Sequence, residues 1–101
     1  MSTEAMKSKL LKVMQAAVEC GAIQEFKETQ EGGEPVFFFK NKKGAAAAVM
    51  LLKNSDMTFI LCAGGYDLVA DDAYITCATG LNPMLTFERR GIRVATFGGV
   101  L

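Results

Sequence analysis

Gly44-Ala45-Ala46-Ala47-Ala48-Val49-Met50-Leu51-Leu52 is the stretch on which the fold turns. Four consecutive alanines favour a helix by intrinsic propensity. Length favours a strand, because residues 45–52 lie between Asn41-Lys42-Lys43-Gly44 and Lys53-Asn54-Ser55-Asp56, both rich in turn formers. Short strands on either side then place this segment in a meander, and it is read here as a strand. Alanine gives little bulk to a sheet. The helix and the phenylalanines elsewhere in the chain are the candidates to pack against it.

Upstream, Val36-Phe37-Phe38-Phe39-Lys40 is apolar on both faces, as expected of a central or covered strand. Gln30-Glu31-Gly32-Gly33-Glu34-Pro35 reads as a turn. Ile23 to Thr29 reads as a strand whose Ile23 and Phe26 are out of phase, which predicts a bulge. Residues 3–20 read as a helix: Met6, Leu10, Met14 and Val18 recur at spacing four, and Leu11 and Ala17 widen the stripe. Ser2 or Thr3 can cap its start, and Gly21 can end it.

Downstream, Met57 to Cys62 reads as a strand broken by Ala63-Gly64-Gly65. The signal is weakest from Tyr66 to Leu81. Asp67 to Asp72 suits a turn or a short helical piece, and Ala73 to Ala78 has strand character through Tyr74, Ile75 and Thr76. A second helix over 67–79 is the alternative, with a poor apolar face. Met84 to Glu88 and Ile92 to Phe97 form a hairpin around Arg89-Arg90-Gly91.

The expected architecture is α+β. One N-terminal helix packs on an antiparallel sheet of about five or six strands, with a second short helix as an option. The 101 residues fit a single domain, 1–101. One helix covers one face of a sheet, so the other face is expected to stay open unless a partner covers it.

Composition narrows function mainly by exclusion. Histidine is absent, which removes the imidazole of nucleophilic triads and most zinc or iron sites. Cys20, Cys62 and Cys77 have no metal-ligand spacing, and their odd number argues against a disulfide framework. The chain has no phosphate-binding glycine loop and no EF-hand loop. No catalytic residue, metal ligand or cofactor is therefore assigned. Formal net charge is zero. Residues 1–34 carry four lysines against six glutamates, and residues 35–101 carry seven basic against five acidic side chains. That asymmetry is too slight to imply an anionic membrane or nucleic acid. The N-terminus lacks an apolar stretch of signal length, and the longest apolar run is about half of what spans a bilayer. The expectation is a cytoplasmic protein.

Three groups of residues are candidates for a site. Gly64, Gly65, Tyr66, Asp67, Asp71 and Asp72 combine glycines that let backbone approach a ligand with three carboxylates that suit a hard cation or acid-base work. A glycine turn followed by a solvated acidic loop would look the same. Lys40, Lys42 and Lys43 in one turn, and Arg89, Arg90 and Arg93 in another, could hold phosphate beside aromatic residues. Ordinary loop charges are the plainer account. The third candidate is the apolar surplus itself, six Met and seven Phe with a mean hydropathy of +0.22. Methionine adapts to irregular contacts and is frequent at accommodating surfaces. The leading expectation is a small protein-binding module, of adaptor, inhibitor or immunity type, acting as a homo-oligomer and most simply a two-fold dimer. A small-molecule binder or carboxylate-based enzyme near residues 64–72, and a nucleic-acid binder, are the alternatives.

Overall fold

A computed structural model describes residues 3–52, 58–76 and 82–98. The first element is the helix α1 (Thr3–Glu19). Its buried stripe is Met6, Leu10, Met14 and Ala17. A spacing of four overshoots the helical turn by about 40° a step. By Val18 the drift has carried the side chain to the flank, and Ala17 takes its place in the core. The helix closes where the sequence indicates. Gly21 has φ of 85°. The Ala22 N–H donates to the Ala17 carbonyl at 2.9 Å, and the Gly21 N–H donates to Val18 at 3.1 Å. This paired reverse bonding satisfies two of the carbonyls left over at a helix end.

Eight strands follow: β1 (Ile23–Glu31), β2 (Glu34–Asn41), β3 (Ala46–Leu51), β4 (Phe59–Ala63), β5 (Tyr66–Ala70), β6 (Asp72–Thr76), β7 (Met84–Arg89) and β8 (Ile92–Gly98). They divide into a five-stranded sheet in the order β1-β2-β3-β4-β5 and a three-stranded sheet in the order β6-β7-β8. All pairings are antiparallel. The alanine segment is a strand, pairing Ala47 with Phe39 and Ala63. The bulge expected near Ile23 lies between Ile23 and Glu25. Tyr66 to Ala70 and Asp72 to Thr76 are both extended, and residues 77–79 of the ambiguous segment lie outside the described residues. Among the described residues α1 is the single helix.

The core lies between the inner face of the five-stranded sheet and a second layer made jointly by α1 and the three-stranded sheet. Phe37, Phe39, Val49, Leu51, Phe59 and Leu61 point inward from the larger sheet. Phe87 joins Phe39 and Phe59 at centroid distances of 6.5 and 6.0 Å, and Phe97 meets Phe39 edge-on at 5.0 Å. Bulky rings opposite the alanines supply the volume that Ala47 and Ala63 lack. On the flanks of α1, Lys7 reaches Glu28 on β1 at 3.0 Å and Lys9 pairs with Asp72 on β6, so the helix is tied to both sheets.

Candidate interaction face

Strand alternation gives each sheet an outer side, and the two outer sides differ in chemistry. On the three-stranded sheet, Ala73, Ile75, Leu85 and Phe87 turn inward. Tyr74, Thr76, Thr86, Glu88 and Thr96 therefore turn outward. This face is mainly polar, though Thr86 is itself covered and half-buried Met84 shares the row of Thr76. The Tyr74 hydroxyl donates to the Glu88 carboxylate, and the Thr76 and Thr86 hydroxyls lie 3.5 Å apart.

The larger sheet turns outward a different set. Register places Thr29, Val36, Met50, Ile60 and Val69 in one row across the five strands, and Lys27, Phe38, Ala48, Cys62 and Asp67 in the next. Val36 is covered, whereas Phe38 remains 42% and Val69 43% exposed. Met50, Ile60 and Cys62 are half-buried. The face is thus an apolar band with Lys27 on its β1 margin and Asp67 on its β5 margin. Beside exposed Ala46, where a short side chain stands next to Phe38 and Lys40, the surface sinks into a pocket of about 310 Å³. Lys27 and Glu25 also line it. Burial pushes the Cys62 thiol pKa up, and the hydrogen bond and charge of neighbouring Asp67, with a further contribution from Glu31, push it the same way. Both influences favour the thiol over the thiolate at Cys62, in keeping with its place in an apolar band.

The carboxylate candidates do not converge. Gly64 and Gly65, with φ of 59° and 83°, form the two-residue turn between β4 and β5. That turn type demands two residues in the left-handed region, which accounts for both glycines without a ligand. Tyr66 and Asp67 follow at that end of β5, with Tyr66 72% exposed. Asp71 and Asp72 lie at the other end, four residues and about 14 Å further along. Both have structural partners. The Asp71 carboxylate accepts the Arg90 N–H at 2.9 Å, and the Asp72 carboxylate accepts the Ala73 N–H at 2.8 Å as well as pairing with Lys9. Among the described residues no group of acids and thiols is arranged to hold a metal ion.

The basic candidates are also divided. Lys40 lies 3.7 Å from Glu25. The backbone of Lys42 and Lys43 is bound into the β2–β3 turn, where the Lys42 carbonyl accepts from Gln24 and the Lys43 N–H donates to Asn41. Arg89, Arg90 and Arg93 surround the β7–β8 turn. Phe97, which packs on Phe39 near the lysines, is separated from Arg93 by four residues of β8, about 14 Å. The two basic groups therefore do not form one stripe.

Of the outward residues of β3, β4 and β5, Asp67 was among the sites suggested by the sequence, whereas Met50, Ile60 and Val69 were not. The usable signal was the short apolar run Leu68, Val69, Ala70 after a glycine pair. It is too short to separate a strand from a turn without its neighbours. No family model, curated protein or solved structure matches the chain. Among the described residues no helix is long and apolar enough to cross a membrane.

Proposed function

We propose that this chain is a small protein-binding module whose working surface is the outer face of the five-stranded sheet. One observation carries the reading: the same chain makes a mainly polar outer face on β6–β8 and an apolar band on the outer side of β2–β5. Antiparallel sheets that face only water normally alternate apolar inside with polar outside. Phe38, Met50, Ile60 and Val69 break that rule on one sheet while Tyr74, Thr76 and Thr96 keep it on the other. Phe38 and Val69 each retain enough exposed surface that covering it gains on the order of 1 kcal/mol. A flat apolar sheet face suits another protein better than a small polar ligand.

The test is a double variant, Phe38→Ser with Val69→Thr, compared with the parent chain at high dilution. The expected result is a melting temperature within about 5 °C of the parent together with loss of fluorescence from an apolar reporter dye. Unfolding of the dilute variant would assign the two side chains to the chain's own core, and unchanged dye binding would place the apolar surface elsewhere. Either outcome removes the proposal.

A further inference from the structure

We propose that the occupant of this face is a second copy of the chain, related by a two-fold axis parallel to β3, so that Lys27 of each copy meets Asp67 of the other. This inference rests on the reading of the outer face as a binding surface and adds the identity and orientation of what binds there. The argument is the distribution of charge and bulk along one row of the sheet. From β1 to β5 the row runs Lys27, Phe38, Ala48, Cys62, Asp67. A two-fold axis parallel to the strands exchanges β1 with β5 and β2 with β4 and keeps β3 on itself. The row is then laid over its own reverse. The margin cation falls on the margin anion at both ends, the large Phe38 falls on the smaller Cys62, and Ala48 faces Ala48.

The neighbouring row behaves in the same way. Thr29 falls on Val69, Ile60 falls over the strand of the already covered Val36, and Met50 falls on its own copy at the axis, where a flexible thioether adapts to a self-contact. Self-complementarity of this kind is what an isologous interface requires. An axis normal to the sheet would not stack the faces, and an axis across the strands would pair Lys27 with a lysine margin. Face-to-face sheets pack about 10 Å apart with a rotation of about 30°. The rotation displaces the outermost pairs by a few ångströms, which the four-carbon stem of Lys27 spans. Zero net charge imposes no long-range repulsion between copies.

The experiment is sedimentation of the full chain over a wide concentration range, for the parent, Lys27→Asp, Asp67→Lys and the double exchange. Both positions are exposed, so the fold tolerates the changes, and circular dichroism checks this. The expected parent is a reversible dimer. Each single variant has two like-charge contacts per dimer and should dimerise about tenfold or more weakly. An equimolar mixture of the two single variants should form a heterodimer, because both of its contacts are then of opposite sign, and the double exchange should recover dimerisation. Peptide-resolved alkylation of Cys62, which Phe38 of the second copy would cover, should slow as parent concentration rises. A parent that remains monomeric at millimolar concentration overturns the inference of a second copy. Dimerisation without rescue in the mixture and the double exchange overturns the orientation. Neither of these results alters the dye and stability result on which the face itself stands or falls.

Discussion

At the scale of the residue, Gly98 has no room for a side chain. It has φ of 99°, and a Cβ built there would lie 2.6 Å from the Pro83 carbonyl oxygen and 2.9 Å from that of Ala22. Both contacts are backbone, so no flexible side chain can move aside. Gly98→Ala is expected to destabilise by about 2 kcal/mol or more, from left-handed strain and displaced backbone together. Chemical denaturation of the variant checks this, and a loss under about 0.5 kcal/mol would show that the β8 terminus shifts freely. Tyr74 belongs to the same scale. Its hydrogen bond to Glu88, then burial, then the charges of Glu88 and Asp72 raise the phenol pKa, against a smaller opposing influence of Arg93. The folded state thus holds a proton that the unfolded chain releases first. The sign follows: stability is unaffected below the unfolded tyrosine value and falls as pH rises from about 10 through the folded value. Spectroscopic titration should show one phenol ionising late, an ionisation lost in Tyr74→Phe and shifted to lower pH in Glu88→Gln.

At the scale of the element, the helix and the first four strands were legible in the sequence because each carries its own punctuation. Gly21 ends α1, Gly32-Gly33 and Asn41 to Gly44 separate β1, β2 and β3, and turn chemistry does not depend on distant contacts. The division into two sheets was not legible. It happens at Asp71, one residue with no glycine or proline beside it. The Asp71 N–H donates to the Glu88 carbonyl at 2.9 Å, and its carboxylate accepts from Arg90. A side chain and a backbone group from the β7–β8 hairpin set the corner, so a reading limited to local residues saw only an acidic loop. The same dependence predicts a measurable effect. Asp71→Ala removes an acceptor from the backbone of Arg90, a non-glycine residue held at φ of 52°, and should cost about 1 kcal/mol. Arg90→Gly relieves the strain at that position and should offset part of the loss in the double variant, a coupling read from a thermodynamic cycle. Simple additivity would show that the corner and the turn are independent.

At the scale of the whole molecule, the layers explain why association and stability are linked. The inner face of the larger sheet is closed twice over, by Leu10 and Met14 from the helix and by Phe87 and Phe97 from the smaller sheet. On its outer face Val36 is covered, Met50, Ile60 and Cys62 are half-buried, and Phe38 and Val69 stay exposed, so the apolar content is divided unequally between the two sides. A partner that binds only the folded chain stabilises it by mass action. If that partner is another copy, the melting temperature must depend on protein concentration. For a chain of this length, a tenfold increase should raise it by about 3–5 °C, as half of the association gain falls to each subunit. Phe38→Ser should melt at one temperature across the same range, close to that of the dilute parent. Phe87→Ala supplies the contrast. Fully buried and in contact with Phe39, Phe59 and Phe97, that ring should cost about 3–5 kcal/mol on truncation, at low and high concentration alike. A concentration-independent parent, or a Phe38 variant that loses as much as the Phe87 variant, would mean that the outer face is stabilised within the single chain and has no need of a second one.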